Sequence, residues 1–233
     1  MDDAELGLAS GCYGYGRWDA PYWFIGPEQG QAPCENNELR ARFEAFRKLG
    51  KDGLTDCRDF HAEIHETRWH RDSPPAALQP TWKFLILLLN TFLERPADDT
   101  SRRVYQRQHW GSSTGETCVI ELSGLPATSF KVARDRELFR QSRLHFIHTR
   151  MVAFRPTFVI IYGRGQMKHW RNFWKNNEIL VCDSGNISKL AFTTIAFVPQ
   201  PTAPGSGNQY WVEVGRRLRS ECNRAEGAWE QVG

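Results

Sequence analysis

The sequence contains no Cys-x-x-Cys pair, no internal repeat and no basic-then-apolar leader at its start. It also has no Pro/Ser/Gly-rich stretch that would divide it. Each absence removes a class. Cys12, Cys34, Cys57, Cys118, Cys182 and Cys222 are scattered, which argues against a zinc ribbon or a clustered iron–sulfur site. Free, mostly buried thiols in a reducing cytoplasm are the simplest reading. Without a basic region followed by an apolar core, no signal peptide is expected. The longest apolar stretch, Phe84–Leu89 within Trp82–Leu93, is too short to span a membrane and reads as a buried helix.

What is present describes one core. At 233 residues, with 40% hydrophobic content, nine Trp and a mean hydropathy of −0.55, the chain reads as one domain over 1–233. The core is placed at about 18–220, with short tails, and nothing in the sequence fixes an oligomeric state. The net charge of +3 hides an asymmetry. Between Lys131 and Lys175 eleven bases face only Asp135 and Glu137, an excess of nine. A basic stripe interleaved with Phe and Trp suits a phosphodiester partner. Equally, it suits solvated helix faces balanced in space by the acidic N-terminal third.

The pattern alternates strand and helix. Strand-like Tyr22–Ile25 leads into the turn Gly26–Gly30, and Asn36 or Asn37 caps a helix with Leu39, Phe43, Phe46 and Leu49 at helical spacing. A polar, His-bearing stretch (56–72) precedes the apolar helix Thr81–Leu93. A second strand, Thr117–Leu122, ends in Ser123-Gly124-Leu125-Pro126. A long helix over about 134–152 stops at Arg155-Pro156. Thr157–Tyr162 is a central strand, Gly163-Arg164-Gly165 turns into a helix near 167–175, and Ile179–Cys182 reads as a shorter strand. Thr193–Val198 is the last, followed by a Pro/Gly-rich loop and a helix over about 208–223. Such units predict a three-layer α/β/α sandwich around a mainly parallel sheet of four to five strands. The loops after the strands then gather along one edge.

Glu28 is the leading catalytic candidate. It lies between Gly26 and Gly30 just past a strand, where an open α/β sheet places its chemistry. There it can orient a water or stabilise a cationic centre, or it can cap the turn. Glu121 breaks an apolar strand at its carboxyl end; two glutamates sharing a pocket would form an acid–base pair suited to a sugar–base or sugar–sugar bond. Gln200, Thr202, Ser206 and Asn208 share a strand-to-helix loop. They read as base or phosphate contacts, with helix capping the competing role for Ser206 and Asn208. Arg164 and Lys168 can hold phosphate at a helix start, although the third Gly of a nucleotide fingerprint is missing. His61 and His65 are spaced to share a helical face, but His65 and His70 miss the zinc-protease spacing, so no metal is assigned. No cofactor is called for. Trp69, Trp110 and Trp170 could stack on bases or serve the core.

Taken together, the four loops resemble the uracil-DNA glycosylase superfamily. Its first motif, a Gly-led turn carrying an acid or amide, is matched by Gly26-Pro27-Glu28-Gln29-Gly30. A middle stretch often written Asn-Leu-x-Pro-Leu-Pro is matched by Glu121–Pro126, and its final His-Pro-Ser by Gln200-Pro201-Thr202. The resemblance covers roughly 18–218. It implies a glycosylase-like protein that hydrolyses the bond between sugar and a deaminated or damaged base in DNA, without a membrane. Glu28 and Gln200 would be catalytic; Gly26, Glu121 and Thr202 would contact the base, and Arg164, Lys168, Ser206 and Asn208 the DNA backbone. Gln200 replaces the motif His and Glu121 the base-reading Asn. Pro204-Gly205-Ser206-Gly207 carries no bulky wedge, which favours single-stranded or mismatched DNA. A catalytically impaired binding module of the same fold, or an enzyme on a small nucleoside or glycoside, are the competing expectations.

Overall fold

The computed structural model describes residues 3–27, 36–125, 133–163, 165–179, 181–184, 186–190 and 192–229. Strand and helix alternate through the middle of the chain, as the periodicity predicts, but three helices follow one another over 57–108 and three strands over 182–198. In chain order the elements are α1 (Asp3–Gly11), β1 (Gly14–Gly16), β2 (Tyr22–Gly26), α2 (Asn36–Leu49), β3 (Leu54–Thr55) and α3 (Cys57–Glu63). Then come α4 (Trp82–Phe92), α5 (Asp99–Gln108), β4 (Thr117–Glu121), α6 (Ala133–Phe154), β5 (Phe158–Tyr162) and α7 (Gln166–Asn176). The chain closes with β6 (Cys182–Ser184), β7 (Ile187–Leu190), β8 (Thr193–Val198) and α8 (Asn208–Trp229).

Among the described residues the strands form one mixed sheet of eight, in the order β3-β1-β4-β2-β5-β8-β7-β6. Its centre, β4-β2-β5-β8, is parallel throughout. The expected parallel sheet of four to five strands is therefore the middle of a larger one. On one side β1 runs antiparallel to β4 and carries β3; on the other β7 and β6 continue antiparallel from β8. The strand expected at 179–182 instead starts at Cys182 and pairs antiparallel with Ile187–Leu190.

The central strands are apolar because both faces are covered. Along β2, Trp23 and Ile25 face one way while Phe24 faces the other, and β5 alternates in phase. Leu144, Ile147 and Met151 of α6, with Trp170, Phe173 and Trp174 of α7, cover the first face. On the second lie α4, apolar on nearly all sides, and Trp211 and Leu218 of α8. The α4–α8 approach is close: a Cβ on Gly215 would stand 2.7 Å from the Leu88 carbonyl oxygen. Asp56 and Asp98 cap α3 and α5 by accepting two backbone N–H bonds each. At its far end α6 stops where Arg155 turns left-handed (φ 49°) ahead of Pro156. Among the described residues no helix is long and apolar enough to cross a membrane.

Candidate functional site

Numbered among themselves, the parallel strands run second, first, third, fourth: the chain leaves β2 for β4 on one side and returns for β5 on the other. In open α/β sheets the crevice outside the carboxyl ends at such a reversal is where ligands bind. Here the reversal lies between β2 and β5. It is lined by Gly26 and Pro27 after β2, Gly163 after β5 and Gln200 after β8. A Cβ on Gly163 would stand 3.4 Å from Pro27 Cδ and 3.5 Å from Gln200 Oε1, so these loops meet.

One strand over, Glu121 ends β4 directly opposite Gly26. It is buried, at 8% exposure. Alternation puts Glu121, Gly26 and Tyr162 in the last row on one face of three neighbouring strands. Two strand spacings separate the outer pair, about 9.5 Å. The Tyr162 hydroxyl nevertheless donates to Glu121 Oε1 at 3.4 Å. The gap at Gly26 permits it: a Cβ there would lie 2.2 Å from Glu121 Oε2 and 2.4 Å from the Tyr162 hydroxyl oxygen. The glycine is needed for room rather than for an unusual φ.

Arg143 of α6 fixes the backbone beneath this pair. Its buried guanidinium donates to the carbonyls of Glu121 (2.8 Å), Ala9 (2.8 Å), Cys12 (2.7 Å) and Ser10 (3.4 Å). Its other face stacks over the Tyr13 ring at 4.3 Å. Burial lowers its pKa to about 10, which still leaves it charged at neutral pH. It thus satisfies the carbonyl end of α1 and anchors the end of β4 to it. Beside Glu121, next to Arg42, Phe43 and Ser123, lies a cavity of about 10 Å³, the size of a single water. Larger open hollows occur at the opposite sheet edge, one of about 600 Å³ beside the Arg95–Glu116 ion pair.

The structure brings some expected site residues together and leaves others apart. Glu28 and Arg164 lie outside the described residues, as does Pro126. Gln200 Oε1 is buried at the crevice without a hydrogen-bond partner among the described residues. Thr202, one turn further, is exposed. The Ser206 hydroxyl is turned into its own loop, donating to the Ala203 and Pro201 carbonyls, and its own carbonyl accepts from Trp211 Nε1 at 2.9 Å. Its geometry is that of a loop brace. Asn208 is exposed at the first position of α8, and Lys168 is exposed in the first turn of α7. Trp110 and Trp170 are buried and serve the core; Trp69 packs against Trp82.

Among the described residues the basic segment is not one stripe. Arg143 points inward, Arg150 pairs with Asp52 at 2.7 Å, Arg140 pairs with Glu137, and Arg155 lies over the Phe192 ring. Lys168 and Lys175 remain exposed.

The histidines differ most from expectation. α3 ends at Glu63, and His65 lies beyond it with φ 59°, so His61 and His65 share no helical face. Instead His61 meets His70, ring centroids 5.1 Å apart, with Cys57 between them. Cys57 Sγ is 3.6 Å from His61 Nδ1 and 3.8 Å from His70 Nε2. One donor atom from each residue lies within 4.8 Å of the others. Burial lowers the pKa of His61 to about 3, opposed by its 2.6 Å bond to the Cys57 carbonyl, and that of His70 to about 4, opposed by the nearby Arg107 carbonyl. Burial raises the Cys57 thiol well above its ordinary value. His70 Nδ1 has no hydrogen bond of normal geometry.

Sequence reading missed Tyr162, Arg143 and Cys57. Tyr162 carried a signal, a hydroxyl ending an apolar strand in phase with Glu121. So did Cys57, four residues ahead of His61 at a helix start. Arg143 looked like any other base in a charged helix.

The chain matches no protein-family model and no curated protein.

Proposed function

We propose that this chain is a DNA-directed N-glycosidic hydrolase that removes a deaminated or damaged base, working in the crevice between β2 and β5. The observation that carries the reading is the run of contacts from Glu121 over Gly26 and Pro27 to Gly163 and Gln200. Residues far apart in the chain thereby share one rim at the strand reversal, in the motif order the sequence resemblance implies.

The chemistry follows from what each group can give. Hydrolysis adds water to the sugar carbon while the base leaves with the bonding electrons. The Gln200 amide donates a hydrogen bond to the base oxygen on which charge develops. A carboxylate only accepts, so Glu121 reads a donating edge, such as the ring N–H of uracil, hypoxanthine or xanthine. Tyr162, already donating to Oε1, holds that carboxylate in place. Glu28, next in the chain after Pro27, takes the role of orienting the water. The loop around Pro204 and Gly205 offers no wedge, so bases already unstacked are the favoured substrates.

The test is release of abasic product from single-stranded and mismatched oligonucleotides carrying uracil, hypoxanthine or xanthine. Product is expected on at least one, reduced about 100-fold by Gln200→Ala and raised by Gln200→His. No abasic product on any of them, from folded protein, overturns the reading. Gln200 in the motif's His position favours one second reading, a binding module that no longer turns over. It predicts salt-sensitive DNA binding and an affinity unchanged or improved by Glu28→Gln.

A further inference from the structure

Cys57, His61 and His70 play no part in that crevice. Cys57 N–H donates to the Gly111 carbonyl, and Gly111 N–H donates to Thr117 Oγ1. Thr117 begins β4, whereas Glu121 ends it, about 13 Å along the strand. The three side chains are inside the protein, at 0%, 5% and 6% exposure. Tyr15, Phe60 and Trp82 ring them, with centroids 5.4–5.6 Å from that of His61.

We propose that Cys57, His61 and His70 bind a zinc ion that has a structural role. A zinc ion with one thiolate at about 2.3 Å and one imidazole nitrogen at about 2.1 Å in a tetrahedron holds those two atoms about 3.6 Å apart. The sulfur–nitrogen distances here, 3.6 and 3.8 Å, already have that spacing. A thiolate with two imidazoles is a donor set of borderline softness, which selects zinc over magnesium or calcium. The His61 nitrogen nearest the sulfur, Nδ1, also lies 2.6 Å from the Cys57 carbonyl oxygen, so ligation there exchanges that hydrogen bond for the metal.

Without an ion the three side chains still touch one another, but one polar atom of the cluster is unmet. A thiol and two imidazoles are packed among aromatic rings, with His70 Nδ1 lacking a normal hydrogen bond. Asp56 is not a fourth protein ligand: its carboxylate accepts from the backbone N–H groups of Arg58, Asp59 and Ser113 and from the Ser112 hydroxyl. Among the described residues no fourth His, Cys, Asp or Glu joins the three. Bound zinc would tie α3 to the segment after the short helical turn Thr67–Trp69.

Binding the ion releases the Cys57 thiol proton to solvent; no electron is transferred. The test is metal analysis of the full chain, purified without a metal-affinity step, together with titration of the chelator-stripped protein. About one zinc per chain is expected, with a Tm lowered by stripping and restored by zinc but not by magnesium. Cobalt(II) added to stripped protein should give a thiolate-to-metal charge-transfer band. Cys118→Ser, at a buried thiol with no imidazole beside it, should keep the band, and Cys57→Ser should lose it. Wild-type protein that is folded but holds no stoichiometric zinc, shows no zinc-dependent Tm and gives no cobalt band overturns the proposal. Because those readouts use wild type, misfolding of Cys57→Ser would leave the test decisive. Neither result bears on glycosidic cleavage, which is assayed separately.

Discussion

Tyr162 and Glu121 stand on strands separated by a third, yet the phenol of one bonds the carboxylate of the other across the bare backbone of Gly26. This contact joins the ends of β5 and β4 over the end of β2. It fixes which way a buried acid faces at the reversal of the strand order, and so couples a detail of packing to the proposed site.

The bridge makes Gly26→Ala a severe change. A methyl group would overlap both Glu121 Oε2 and the Tyr162 hydroxyl, and the strand backbone has little freedom to move. The expected loss is about 1–3 kcal/mol of stability, read as a lower urea midpoint. Base release should fall with it. An unchanged midpoint would show that the two side chains meet elsewhere.

Tyr162→Phe isolates the hydrogen bond from the packing. Stability should fall by about 1 kcal/mol, since one donor to a carboxylate is lost and the ring stays. Abasic-product formation should drop more steeply than folding does, because Glu121 loses its fixed direction. Equal activity in the variant would make the contact architectural only.

Arg143→Leu removes a buried guanidinium and leaves several carbonyls, including those of Ala9, Cys12 and Glu121, without their donor. A loss of at least about 3 kcal/mol is expected by chemical denaturation. Arg143→Lys should recover only part, since one ammonium cannot reach the same spread of acceptors.

His148 on α6 packs edge-on to Phe173 of α7, ring centroids 5.6 Å apart. Burial, and secondarily His145, lower its pKa below the ordinary 6.5. The unfolded chain therefore binds a proton there more readily than the folded one. Its contribution is complete above pH 6.5 and is lost as pH falls below that value. Denaturation midpoints at pH 7 and pH 5 should differ less in His148→Gln than in wild type. Equal differences would place the pH dependence in other groups.

The centre of the fold was legible because its signals are local and repeated. Apolar strands of five or six residues, Pro156 after a long helix and glycines after strands mark β2, β4, β5 and β8 with their helices. The margins were not. β1 is three residues, two of them glycine, and β3 is two, too short for any alternation to show. α5 buries little more than Arg102, Tyr105 and Gln106, so its apolar pattern is thin, and Asp98 as an N-cap was its clearest mark.

At the site, strand ends could be placed from sequence, and with them Glu121, Gly26 and Gln200. Partners could not. That Tyr162 meets Glu121 depends on strand order, which crossovers decide and composition does not. The grouping of Cys57 with His70 likewise depends on how the chain folds back after α3. Ser206 illustrates the reverse case: a loop hydroxyl that suits phosphate chemistry is directed instead to the carbonyls of its own turn.

The most direct measurement is a crystal structure of the protein soaked with hypoxanthine or uracil and with an abasic-site oligonucleotide. The base is expected in the crevice between β2 and β5, its ring N–H on the Glu121 carboxylate and an oxygen within hydrogen-bond distance of the Gln200 amide. A base bound only elsewhere, such as the hollow beside Arg95 and Glu116, or no bound base at saturating concentration, would contradict the account.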